Sequence, residues 1–158
     1  MTRTHVVFAA AAAAVSVAAL VGISDVFASG DALPGPGVIR VTATRSSYVR
    51  IDTGRRGWTV GDVEVIRERL YNRRITPKSI GHVELVCTST GGNSANCSGT
   101  YFFPRGRIVV SGPRTFREIF EVAVVGGTGL YDNVRGTLTV TSLGGSPARS
   151  LHFFRLLV

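Results

Sequence analysis

The chain has 158 residues, 18 of them basic and 10 acidic, for a formal charge of +8. That length suits one domain with a sizeable core and is short for two. A basic balance of this kind fits nucleic acid or an anionic surface. The arginines, however, are scattered (Arg55, Arg56, Arg67, Arg69, Arg105, Arg107, Arg114, Arg117) around a single lysine, Lys78, which reads as a solvated basic surface, so no nucleic-acid partner is expected.

At the start, Arg3 and His5 precede an apolar run from Val6 to Ile23, and Val26-Phe27-Ala28 offers the small-residue pattern of a cleavage site. Residues 1–28 therefore read as a helical secretory signal peptide, which predicts a secreted or extracytoplasmic protein with no stable membrane span after cleavage. An uncleaved anchor is the alternative, since the run approaches the length of a membrane span. Its alanine-rich composition favours cleavage, which leaves 17 basic and 9 acidic residues and the same net charge. Residues 29–37 follow as a linker whose prolines and glycines no central strand would tolerate.

From residue 38 to 158 the chain reads as one domain of short strands: "VIRVTAT", "YVRID", "VEVIRERLYN", "IGHVELVCTS", "CSGTYFF", "RIVVSG", "REIFEVAVV", "RGTLTVTSL" and "SLHFFRLLV". Turn-forming joints such as "TGRRG", "TPKS", "GPRT" and "LGGSPA" separate them, so the pattern predicts an all-β barrel or sandwich. "VEVIRERLYN" is helical by propensity and a strand by context. Cys87 and Cys97 flank a Gly-, Ser- and Asn-rich stretch, and a hairpin there would bring them face to face, which in an exported protein favours a disulfide. Two thiols without further ligands at suitable spacing make half a metal site, so no metal is expected.

Alternation puts Val83, Leu85 and Cys87 on one face and His82, Glu84 and Val86 on the other. It also groups Glu121 with Ile119, Ala123 and Val125, and Arg155 with Leu151, Phe153 and Leu157. Charges mixed into apolar rows suggest either a partly polar interior or a solvated face with exposed apolar residues. No nucleophile elbow, metalloprotease helix or phosphate loop is present. The stretch "VVGGTGLYDNVRGTLTV" imitates a dinucleotide turn through Gly126, Gly127 and Gly129, but strand-like residues follow where a helix must open.

That stretch, with "YFFPRGRIVVSGP" before it and "SLHFFRLLV" after it, resembles the dirigent and allene oxide cyclase superfamily. There a strand ending in an apolar-Gly-Gly-x-Gly turn leads through an aromatic residue and a spacer to Arg-Gly. Gly126, Gly127, Gly129, Tyr131, Arg135 and Gly136 match that pattern, and "GDVEVIRERLYN" is similar to the strand that opens such a barrel. The resemblance implies an eight-stranded antiparallel β-barrel that binds a small hydrophobic molecule without a cofactor and controls the stereochemistry of ring closure or coupling. A non-catalytic lipocalin-like binding protein is the alternative, a secreted interaction or cell-surface protein whose barrel is packed solid by its own side chains is a third reading, and homo-oligomerisation stays open. The catalytic candidates implied are Arg135, Asp132 and Asp62. Tyr131, Tyr101, Glu84 and Arg155 are the candidate substrate contacts, and the four glycines are structural.

Overall fold

In the computed structural model, which describes residues 37–72 and 74–157, every regular element is a strand. The strands are β1 (Val38–Ile51), β2 (Val63–Tyr71), β3 (Gly81–Gly91), β4 (Ser94–Phe103), β5 (Gly106–Thr115), β6 (Ile119–Gly129), β7 (Arg135–Gly144) and β8 (Arg149–Leu157). Each pairs antiparallel with its sequence neighbour, and β8 returns to β1, so the sheet closes into a barrel without a free edge. The expected signal peptide, residues 1–28, and most of the linker lie outside the described residues. Among the described residues, no helix is long and apolar enough to cross a membrane.

Nine expected segments become eight strands because "VIRVTAT" and "YVRID" are one strand, β1, carried across a bulge between Arg45 and Ser47. The bulge changes which residues face the neighbouring inward row. Arg45 stands opposite Glu68 before it, whereas Tyr48 and Arg50 stand opposite Ile66 and Glu64 after it. "VEVIRERLYN" forms β2 and not a helix, because pairing with β1 and β3 and the β-branched Val63, Val65 and Ile66 override the helix propensity of its Arg, Glu and Leu. It is also the second strand; β1 opens the barrel.

Period-two alternation then divides inside from outside. In β2, Glu64, Ile66, Glu68 and Leu70 are buried while Val65, Arg67 and Arg69 are exposed. At the end bearing the β2–β3, β4–β5 and β6–β7 connections the interior is filled. Tyr101 meets Phe154 edge-on at 4.9 Å, Phe103 meets Tyr131 at 5.6 Å, and Leu70, Val83 and Ile108 are fully buried around them. Each such side chain contributes roughly 1.5–3 kcal/mol by burial. The opposite end, where β1–β2, β3–β4, β5–β6 and β7–β8 connect, is open.

The glycine stretch closes the filled end. No helix opens there: Leu130–Val134 is a turn between β6 and β7. A Cβ on Gly127 would lie 2.2 Å from the Tyr131 carbonyl oxygen and 2.7 Å from that of Arg107, so the position demands glycine for lack of space. Gly129 demands it for conformation, with φ at +65°. Gly136, the second residue of β7, has φ +141° and lies against the Arg155 backbone, whereas a Cβ on Gly126 would meet nothing nearer than 3.8 Å.

Candidate functional site

The open end holds a cavity of about 220 Å³. Its walls are largely apolar, from Ile66, Val110, Phe120, Val122, Leu138 and Val140, and its polar residues sit at two depths. At the floor, Tyr101 Oη lies 2.9 Å from His152 Nδ1, and Ser150 Oγ lies 2.8 Å from His152 Nε2. Glu68 Oε2 faces that same Nε2 at 3.5 Å. At the mouth are four arginines, Arg45, Arg114, Arg117 and Arg149, so Glu68 is the one acidic residue among the lining groups.

Burial sets the protonation of the floor. Removal from water pushes the His152 imidazole down to about 3, so the ring is neutral at physiological pH. Burial, and then the nearby Glu68 charge, hold the Tyr101 phenol well above its ordinary range. Tyr101 therefore keeps its proton and can donate to Nδ1, which puts the ring proton on Nε2, directed at Ser150 and Glu68. The Glu68 carboxyl is raised by burial, against the opposing pull of Arg45 and Arg114. It thus holds a proton to higher pH than a free glutamate does.

Parity explains how the sequence builds this site. Glu64 and Glu68 share the inward row of β2 with Ile66 and Leu70, and Ser150 and His152 share that of β8 with Phe154 and Leu156. Arg45 and Arg114 extend the inward rows of Val41 and Ala43 in β1 and of Ile108 and Val110 in β5. None of these polar residues was singled out from the sequence. Alternation within "VEVIRERL" carried the signal, because it places two carboxyls on the same face as Ile66 and Leu70.

Glu64 anchors the mouth, accepting from Arg114 Nη1 at 2.7 Å and from Tyr48 Oη at 2.6 Å. Of the expected site residues, Tyr101 is at the floor of the cavity, whereas Asp62 is buried against the β1–β2 loop and does not line it. Asp62 accepts from the backbone N–H groups of Thr59 (2.8 Å) and Thr53 (3.0 Å) and from Arg50 Nη2 (3.0 Å). Those bonds hold its carboxyl down to about 2, the two backbone donors contributing most. Asp62 thereby braces the β1–β2 loop, whose Trp58 packs edge-on against Phe116 at the cavity rim.

The remaining candidates do not line the cavity. Arg135 and Asp132 are exposed at the filled end, where Arg135 Nη1 donates to the Val134 carbonyl and Asp132 accepts from Asn133. Tyr131 is buried in the packed core at that same end. Glu84 and Arg155 face outward, paired with Arg67 at 2.7 Å and with Glu121 at 3.1 Å. The mixed rows noted in the sequence are thus the solvated outer face, with exposed Val86, Ile119, Val125 and Leu151 beside those ion pairs. Cys87 and Cys97 are joined in a disulfide. They sit opposite each other within β3 and β4 rather than at strand ends, because the turn between those strands is only Gly92-Asn93, and both line the cavity wall. Among the described residues, no group of three His, Cys, Asp or Glu side chains could hold a metal ion.

No protein-family model and no curated protein matches this chain. Solved structures do. A pyocyanin demethylase superposes with a TM-score of 0.65 at 23% identity, over 76% of this chain and 99% of its own. A pterocarpan synthase dirigent protein gives 0.63 at 14% identity, over 75% and 85% of the two chains. The Diels-Alderase AbmU from Streptomyces koyangensis gives 0.57 at 11% identity, over 76% and 68%. At these identities the likeness is one of architecture, and this chain has the eight-stranded barrel fold that the dirigent proteins, the demethylase and the Diels-Alderase share.

Proposed function

We propose that the protein is a secreted, cofactor-free isomerase or cyclase that holds one conformer of a small, largely apolar substrate in the cavity and moves or shares a proton at its floor. The observation that carries this reading is the set of four polar groups, Tyr101, His152, Ser150 and Glu68, converging on the inner end of a cavity whose walls are largely apolar. Polar groups buried at that depth are costly unless they are used or fully paired. Here one neutral imidazole is supported on both nitrogens beside a carboxyl with a raised proton affinity, an arrangement suited to general acid–base work. Glu68 would lend a proton to a developing oxyanion and recover one from the substrate as the product forms, Nε2–H of His152 would hydrogen bond the same oxygen, and the apolar walls would fix the geometry of ring closure. Such a reaction conserves atoms and electrons, so it requires no co-reactant. The volume, below the ~300–1,000 Å³ of drug-sized sites, points to a compact substrate or to the reacting part of a longer one. Export is part of the proposal, supported by the N-terminal run and by the disulfide.

The test is incubation of purified protein with a metabolite extract, followed by mass spectrometry of free and bound fractions. A consumed molecule replaced by an isomer of equal mass, with the conversion lost in Glu68→Gln and His152→Gln, supports the enzyme. Recovery of a bound molecule unchanged by wild-type protein would make the barrel a carrier.

A further inference from the structure

We infer that the molecule bound in this cavity carries one carboxylate, held at the mouth by Arg45, with its apolar body directed at the Tyr101–His152 floor. The inference rests on the cavity being the functional site and names the chemistry of what enters it.

Four guanidinium groups and a single carboxyl line the cavity, which gives its mouth a net positive charge. The four arginines are not equivalent. Arg114 is committed to Glu64 and lies over the rings of Phe116 and Phe120, so it shapes the rim. Arg117 and Arg149 are exposed at the rim, and neither forms an ion pair with a described residue; they raise the local positive potential that draws an anion inward. Arg45 is half-buried and inward-facing, its guanidinium carbon 5.1 Å from the centre of the Tyr48 ring. Its Nε is buried and has no hydrogen-bond partner among the described residues; Glu68, its cross-strand neighbour, feels its charge, but no described carboxylate lies within ion-pair distance of it.

A partly desolvated guanidinium with free donors is the group that planar anions recognise. Its two terminal Nη groups, which donate to no described residue, can meet the edge of a carboxylate through two parallel hydrogen bonds, and the reduced dielectric strengthens them. A carboxylate at Arg45 would leave the rest of a compact molecule against Ile66, Leu138 and Val140, with its far end at the floor.

Calorimetric titration with 1-naphthoate and with 1-naphthamide, a neutral analogue of similar size, separates the two levels of the claim. Wild-type protein should bind the naphthoate about tenfold or more tightly than the amide, an advantage that falls with added salt. In folded Arg45→Met that advantage should disappear while amide binding is retained, and Arg45→Lys should restore part of it. Arg45→Gln, read the same way, serves if the methionine variant does not fold. Equal binding of the two probes by wild-type protein, or an undiminished preference in a folded Arg45 variant, would overturn the carboxylate assignment and leave the cavity as a binding site. Failure of both probes to bind would overturn the cavity reading as well.

Discussion

His152 makes the stability of the barrel depend on pH in a direction that can be worked out. The imidazole titrates near 3 in the folded protein against 6.5 when free, because burial removes the charged form from water. Between those values the unfolded chain binds a proton at this position and the folded chain does not, so stability falls as pH drops below 6.5 and is fully present above it. Each pH unit in that window costs about 1.4 kcal/mol, which makes the loss about 2 kcal/mol at pH 5. Glu68 has the opposite sign, since its raised folded value favours the protonated native state as pH falls. Asp62, held at about 2 against 3.8, adds its own loss only below pH 4. The comparison is therefore made between pH 7 and pH 5, on wild type and on His152→Gln, with Glu68 present in both. Urea unfolding should show the wild type losing about 2 kcal/mol more than the variant, roughly 1 M in midpoint at a typical m of about 2 kcal/mol/M. Equal losses in the two proteins, or an imidazole that titrates near 6.5 by NMR, would refute the buried neutral histidine.

Tyr101→Phe leaves the buried His152 Nδ1 without its partner, and should cost about 1–3 kcal/mol by thermal or urea unfolding at pH 7. Gly127→Val should damage folding far more than Gly126→Val, since a side chain at 127 runs into two carbonyl oxygens and one at 126 has room; matching melting temperatures would contradict the geometry. Replacing both Cys87 and Cys97 by alanine opens a loop with a sequence separation of 10 residues and should lower stability by about 3 kcal/mol in the chain-entropy account, measured against the oxidised protein. Arg135→Met, at the end remote from the cavity, should leave capture and turnover unchanged; loss of activity in a stable variant would return the catalytic role to that end.

Much of the fold was legible in the sequence because its signals are local. Alternation, turn residues and the Gly126–Gly129 turn mark strands and joints without reference to distant contacts. The break between "VIRVTAT" and "YVRID" misled because Arg45, Ser46 and Ser47 interrupt the alternation there, and a bulge absorbs that interruption only once β2 supplies the register. The site was less legible for a related reason. Glu84 and Arg155 drew attention as charges in apolar rows, yet a closed barrel exposes that whole face, so such rows occur at no penalty on the outside. Glu68 and His152 lie on the other parity, and their closeness depends on strands far apart in sequence both facing one interior. Tyr101 could be placed by residue type, but its bond to His152 spans 51 residues and no local pattern encodes it.

The central claim is that function resides at the open end of the barrel, over Tyr101 and His152. Nitrogen NMR of the histidine side chains tests it directly, because the domain carries one histidine inside the cavity, His152, and one on the outer wall, His82. With the molecule captured from extract, or with 1-naphthoate, the His152 ring resonances should shift in step with binding while those of His82 stay where they are. Saturable binding that moves His82, or that leaves His152 unmoved, would place the site elsewhere and contradict the account.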